Sequence, residues 1–240
     1  MTKQKRRRRN KKSRNKNIRL LLISVFFISL YFLATYFSSP IHDVPMNSLN
    51  KEAKAVGIDV SEWQSDIDFK KVKRDGYSFV LIRTGFGWEY EDINFQTHIQ
   101  NAKKAGLAVG VYHYSHATTI QEAIQEAQLV IQIIDDYTLD FPVFYDIETD
   151  RQNHLTRYEL TQIVSAFLNT LENHGYHPGI YAAQSWYEDR LDMSILEKYP
   201  IWIASYTDYL TYEGKYDYWQ YTSEGSVKGV HGYCDINIQY

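Results

Sequence analysis

The stretch FPVFYDIETD, residues 141–150, places Asp146 and Glu148 two residues apart at the close of an apolar run. On a strand, side chains at i and i+2 share a face and lie roughly 6.6 Å apart along it. The two carboxyls therefore project together, while Val143, Tyr145 and Ile147 take the opposite face. Pro142 opens the segment and Thr149-Asp150 closes it, so the acids fall at its C-terminal end. One acid at a strand end is ordinarily a cap or a loop hydrogen-bonder. A pair admits two chemistries: oxygen ligation of a divalent metal, or the acid and charge-stabilising roles of glycoside cleavage. No second cluster of H-x-x-x-H or D-x-D-x-D type accompanies the pair, and Trp and Tyr are dense around it. Glycoside cleavage is the better fit, with no metal and no other cofactor expected.

Two more acids sit in comparable places. Asp59 falls near the end of GIDV, and Asp235 lies in CDINI. Around them, Alternating strands and helices run from Ala55 onward. Short β-branched or aromatic runs mark strands at 55–60, 79–84, 107–114, 142–148, 178–183, 200–206, 216–222 and 234–238. Ile120, Ile124, Ala127, Ile131 and Ile134 form one helical apolar face behind the capping box TIQE. Leu160, Ile163, Val164, Phe167, Leu168 and Leu171 form a second behind TRYE, which stops at Gly175. Shorter helices are expected near 68–75, 93–105 and 184–198. After Pro200 no helix fits between strands.

Strand-helix alternation implies parallel strands with right-handed crossovers. Eight strands suggest a closed barrel that is helix-poor toward its end. An open doubly wound sheet is the alternative, but GIDVSEWQ is no Gly-rich phosphate turn. In a (β/α) barrel the C-terminal strand ends carry the site. The first and last strands are then neighbours, so Asp59, Asp146, Glu148 and Asp235 ring one mouth. Crowding and partial burial raise at least one of their pKa values and keep an acid protonated at working pH.

Other side chains are open to two readings. His113 in GVYHYS ends a strand without a Ser or Cys partner, as a structural histidine or a sugar hydrogen-bonder. Trp63, Trp88, Trp186 and Trp219 follow or end strands, as rim packing or as sugar platforms. Arg83 is placed to hold a carboxylate. The candidate sugar contacts are Tyr112, His113, Tyr181, Trp63 and Trp219.

Composition narrows the partners. Residues 1–19 hold 11 of the 26 Lys and Arg and none of the 29 Asp and Glu, which leaves the remainder at about −14. So acidic a domain is a poor match for nucleic acid. The single Cys234 excludes an intrachain disulfide and reads as a small buried apolar group. Leu20 to Phe37 is an uncharged, mostly apolar run long enough to span a bilayer, with its basic flank cytoplasmic. It ends in ATYFSSP, without the small-x-small pattern of a cleaved signal, so an uncleaved anchor is favoured over secretion. The expected organisation is a basic tail (1–19), a transmembrane anchor (20–37), a polar linker (38–54) and a barrel (55–240) held outside the membrane as a monomer.

The chain resembles glycoside hydrolase family 25, the Chalaropsis-type N-acetylmuramidases. The carriers are GIDVSEWQ, GVYHYS, PVFYDIE, GIYAAQSWY, PIWIASY and YWQYTSEGSVKGVHGYCDINI, in that order from about Val56 to Tyr240. The resemblance implies an irregular barrel of eight strands and about five helices. It also implies hydrolysis of the β-1,4 bond between N-acetylmuramic acid and N-acetylglucosamine in peptidoglycan. Glu148 is then the general acid. Asp146 braces the 2-acetamido group of the substrate as it attacks the anomeric carbon, and Asp59 and Asp235 tune Glu148. A non-catalytic glycan-binding barrel and a chitin-type hydrolase are the alternatives. Tyr145 departs from the aliphatic residue that is common in the family before the Asp. RTGFGWEY departs from its commoner Lys-Ala-Thr-x-Gly. No wall-binding repeat follows the barrel, a localising role expected to pass to the membrane segment.

Overall fold

The structure, a computed structural model, describes residues 52–240. The expected tail and span at 1–19 and 20–37, and most of the linker, lie outside the described residues. No helix among the described residues is long and apolar enough to cross a membrane.

The strands are β1 (Ala55–Val60), β2 (Phe79–Phe86), β3 (Tyr90–Glu91), β4 (Ala108–Tyr114), β5 (Val143–Asp146), β6 (Pro178–Ala183), β7 (Ile201–Ala204), β8 (Tyr218–Gly225) and β9 (Cys234–Gln239). The helices are α1 (Phe69–Arg74), α2 (Phe95–Ala105), α3 (Ile120–Ile134), α4 (Arg157–Asn173), α5 (Gln184–Asp189) and α6 (Met193–Leu196). The sheet order β1-β9-β8-β7-β6-β5-β4-β2 closes through β1–β2 pairing, and β3 folds back on β2 as a two-residue strand. The result is an eight-stranded barrel with an added hairpin. It has six helices against the five expected, because the 184–198 segment divides into α5 and α6.

One strand breaks the parallel pattern. β9 runs antiparallel to both β8 and β1. The eight residues between Gly225 and Cys234 are too few for a parallel crossover, which needs a dozen or more. Asp235 therefore reaches the C-terminal mouth from the start of its strand, where Asp59 reaches it from the end of β1.

Two apolar layers sandwich the barrel wall. Inside, Phe79, Leu81, Phe144, Tyr181, Trp202 and Tyr218 pack together. Outside, Val143, Tyr145 and Ile147 of the β5 segment pack among the helices with Leu160, Val164, Phe167 and Leu171 of α4, as the alternation requires. The α3 face is turned from the expected one. Ala123, Glu126, Ala127, Val130 and Ile134 are buried, while Ile120 is 49% exposed. Two alanines let the helix approach closely, and Glu126 is accepted inside because it is fully hydrogen-bonded there. Thr119–Glu122 and Thr156–Glu159 both form reciprocal capping boxes.

The barrel interior is filled by aromatic rings, and glycines make the room. A Cβ on Gly57 would lie 2.4 Å from the Phe79 ring, and one on Gly179 would lie 2.6 Å from Phe144 and 3.0 Å from the carbonyl oxygen of Pro200. Gly179→Ala should therefore destabilise the barrel by about 1–3 kcal/mol through overpacking. Urea unfolding checks this, and an unchanged midpoint would show that the ring can move aside.

Candidate active site

The acid cluster is built by register. Asp59 stands directly opposite Asp235 across the antiparallel β1–β9 pair. Directly opposed residues share a face with Cβ atoms about 4.5–5.5 Å apart. Tyr114 pairs with Asp146 across β4–β5, and Asp146 with Tyr181 across β5–β6. Glu148 lies two residues past the end of β5, at the lip, where part of its side chain meets solvent. A cleft of about 430 Å³ opens here, walled by Trp63, Arg83, Tyr112, Tyr114, Asp146, Glu148 and Asp235 among others.

A hydrogen-bond network beneath the cleft decides where charge resides. Asp59 Oδ2 accepts from Gln220 Nε2 and Asn237 Nδ2, each at 2.8 Å. Both amides are oriented by donors. The hydroxyls of Tyr181 and Tyr206 donate to Gln220 Oε1, and the Trp202 indole N–H donates to Asn237 Oδ1. An indole N–H cannot accept, so the amide nitrogen of Asn237 must face Asp59. Burial raises the pKa of Asp59, and the two donors oppose that rise. Burial and the Asp59 charge raise Asp235. Asp235 has no such donors, so in this coupled pair Asp59 carries the charge and Asp235 keeps the proton.

The same charge reaches the other two acids. Asp146 is pushed well above the usual carboxylate range by burial, then by Glu148 and Asp59, with Arg83 opposing. Its Oδ1 is buried without a hydrogen-bond partner. Glu148 is raised by withdrawal from water and by Asp59, with the Tyr181 hydroxyl opposing. Chemically, the cleft presents a carboxyl with a raised pKa at its lip, a bare carboxyl oxygen beside it, and the Asp59 carboxylate below.

Arg83 does not bridge to these acids. Its Nε donates to Asp92 Oδ2 at 2.9 Å and its Nη2 to Glu62 Oε1 at 2.8 Å. Asp92 also accepts from the backbone N–H of Glu62, so the loop after β1 is tied to the β2–β3 hairpin.

The structure brings together Glu148, Asp146, Asp235, Tyr112 and Trp63 at the cleft, with Asp59 and Tyr181 in the hydrogen-bond network beneath it. Trp63 is 81% exposed at the mouth. His113 and Trp219 are placed elsewhere. Tyr112 and Tyr114 wall the cleft, so His113 between them faces the outer layer, stacked on Phe167. Burial depresses its pKa to about 4. The neutral ring donates from Nε2 to the Gly87 carbonyl and accepts the Thr84 hydroxyl at Nδ1. Trp219 is likewise outward, its indole N–H donating to the Ser205 carbonyl. Neither can reach a sugar in the cleft. Cys234 is buried, as expected.

Four functional side chains escaped the sequence reading. Gln220 and Asn237 lie in strands, in phase with interior residues, and Asn237 is two beyond Asp235. Glu126 and Ser115 form a chain behind β5: Gln152 Nε2 donates to Ser115 Oγ, Ser115 to Tyr145 Oη, and Tyr145 to Glu126. Burial raises Glu126 to about 7. The Tyr145 hydroxyl thus has a use an aliphatic residue could not serve. Among the described residues, no group of three or more His, Cys, Asp and Glu is arranged to hold a metal ion.

Fold and site place the chain among barrel glycosyl hydrolases. The profile of glycosyl hydrolases family 25 matches residues 58–230, and the chain belongs to that family. It is 30% identical over 182 residues to an autolytic lysozyme of Clostridium acetobutylicum, covering 75% of this chain and 54% of that protein. A modular autolysin from Streptococcus pneumoniae, solved with a synthetic peptidoglycan ligand, superimposes with a TM-score of 0.72 at 28% identity over 78% of this chain and 46% of its own. A family 25 glycosyl hydrolase from Bacillus anthracis gives 0.71 at 25% identity over 85% of this chain and 95% of its own. The chain spans about half the length of the first two.

Crowding of this kind acts on stability with a definite sign. An acid whose pKa is raised on folding favours the folded state below its unfolded value, near pH 4, and loses that contribution as pH rises through the folded value. Asp235→Asn should thus stabilise the barrel at pH 7, by on the order of 1 kcal/mol. The gain should vanish near pH 4. Urea midpoints at the two pH values test this, and a gain of equal size at both would show that charge is not the cause.

Proposed function

We propose that the chain is a muramidase, hydrolysing the β-1,4 bond between N-acetylmuramic acid and N-acetylglucosamine in peptidoglycan. The supporting observation is the convergence of Asp146, Glu148 and Asp235 on one aromatic-walled cleft with Asp59 directly beneath, in a chain of family 25. The names of an autolytic lysozyme and of a modular autolysin solved with a peptidoglycan ligand, which it resembles, support that reading. Glu148, at the lip with its pKa raised, protonates the leaving oxygen. Asp146 accepts the acetamide N–H of the substrate on its unpartnered Oδ1. That donor favours the charged form of Asp146, which then balances positive charge developing on the acetamide. Asp59 and Asp235 act through Glu148. Tyr112, Tyr181 and Trp63 hold the glycan. The acetamide oxygen attacks the anomeric carbon, the glycosidic C–O bond breaks, and the oxygen leaves with the proton of Glu148. Water then opens the cyclic intermediate, returning a proton to Glu148 and retaining the anomeric configuration. We place this barrel outside the cell membrane, held by residues 20–37; the composition of residues 1–37 supports that reading.

General acid catalysis contributes about 10²- to 10⁴-fold, so Glu148→Gln should lower wall hydrolysis at least that far. Turbidity loss of purified walls reads the rate, and mass spectrometry of the fragments reads the bond cleaved. Fragments ending in N-acetylglucosamine rather than muramic acid would overturn the assignment. Proton NMR should show the β-anomer first, with no ester trapped on Asp146 by a fluorinated analogue.

A chain beginning at Lys51 should be folded and as active on soluble glycan as the full chain. Circular dichroism and reducing-end release check both halves. A folded but inactive product, beside an active full chain, would sink the tether reading.

A further inference from the structure

Beside the cleft lies a second hollow of about 410 Å³, which shares Phe86 and His116 with it and adds Trp88, Tyr90 and Arg151. Phe86 and Tyr90 stack with centroids 4.2 Å apart, and Phe86 meets His116 at 5.0 Å, so one aromatic ridge runs between the two hollows. Trp88 is 45% exposed on the far wall. The loop that carries it is pinned by the Gly87 N–H to the Tyr114 carbonyl and by His113 to the Gly87 carbonyl. Gly87 has φ 59°, a left-handed backbone that suits glycine.

Arg151 is the charged member that matters. It is exposed, on the turn Asp150–Gln152 three residues past Glu148. That turn is fixed: Gln152 is buried and donates to the Ala117 carbonyl, and Arg190 donates to the Gln152 carbonyl at 2.9 Å. Of the cations lining the two hollows, Arg83 is held by two carboxylates, whereas Arg151 is in no ion pair among the described residues. His116 stays neutral, because burial and the Arg151 charge both lower its pKa. Two acids also line the hollow, Glu89 and Glu122; the Oε2 of Glu122 is engaged by Thr118 and Thr119, so Arg151 faces one carboxylate, Glu89, that no such capping contact occupies.

We propose that this hollow is the subsite for the peptide substituent of muramic acid, with Arg151 binding a free peptide carboxylate and Trp88 and Tyr90 covering its apolar atoms. The assignment rests on the muramidase reading for the identity of the glycan. It follows from continuity and charge. The hollow adjoins the cleft across the shared ridge, within reach of a substituent on a sugar bound beside Glu148. In a domain with a large acidic surplus, an unpaired guanidinium on a fixed turn beside aromatic faces suits an anionic, partly apolar group.

The test uses the full chain carrying Glu148→Gln, so that the probe survives. Calorimetric titration compares a disaccharide-peptide bearing free peptide carboxylates with the same compound amidated. The free form should bind about tenfold more tightly, the effect of one charge-assisted hydrogen bond. Arg151→Gln should erase that preference, and Arg151→Lys should restore part of it. Equal affinities for the two probes with Arg151 intact, or a preference that survives Arg151→Gln, would overturn the assignment. The preference in a chain whose Glu148-intact form releases no muramic-acid ends would remove the hydrolase reading and leave the subsite standing.

Discussion

Asp59 and Asp235 face each other across β1 and β9, and burial together with their mutual repulsion opposes ionising both. Much of the mouth follows from how that conflict is resolved. Two amide donors fix the charge on Asp59, and those amides are themselves fixed by two phenols and an indole. Gln220 comes from β8, Asn237 from β9, Tyr181 from β6 and Trp202 from β7. Half of the barrel is thus committed to holding one carboxylate charged. That charge raises Asp146 and Glu148 in turn. A lone buried acid would simply take up a proton, and only the network makes the outcome asymmetric.

β5 shows how one short strand serves two purposes. Its inward face carries Asp146. Its outward face carries Tyr145, stacked on Phe167 at 3.7 Å and hydrogen-bonded to Glu126. The backbone N–H of Ser115 donates to the Asp146 carbonyl, so the network behind the strand also fixes the end of β4. Placement of the acid therefore depends on groups that never touch the cleft. A polar chain in an otherwise apolar layer is tolerable because its hydroxyls and the Glu126 carboxyl have partners, although Gln152 Oε1 at its outer end has none.

Strand positions were legible because β-branched and aromatic runs sit between clear breakers. All eight barrel strands begin within two residues of the expected starts. The acid pair was legible for the same reason, since alternation alone puts Asp146 inside and Tyr145 outside. Applied to GVYHYS, that alternation would also have turned His113 outward once Tyr112 was assigned to the cleft. The same holds for Trp219 between Tyr218 and Gln220. The direction of β9 was readable from the short link before it, yet strand sequences carry no polarity signal of their own. Glu126 was harder. The isoleucines of α3 form a plausible stripe, and only the positions of Tyr145 and the His116 backbone show why a carboxyl replaces one of them inside. The two-residue β3 lies below the length at which a pattern exists.

Arg83 explains why proton uptake, rather than a counter-ion, relieves the crowding. A guanidinium beside four carboxyls would ordinarily neutralise one of them and lower its pKa. Here both arms of that guanidinium are taken by Glu62 and Asp92, which join the loop after β1 to the hairpin. Its field still reaches Asp146, but it forms no ion pair there. With the available cation spent on architecture, the cleft can lower its repulsion only by keeping protons. At the lip, Glu148 feels the same upward push from burial and from Asp59. The RTGFGWEY segment thus does more than replace a loop: its Arg83 ties the loop after β1 to the hairpin instead of pairing with a cleft acid, and its Trp88 walls the neighbouring hollow.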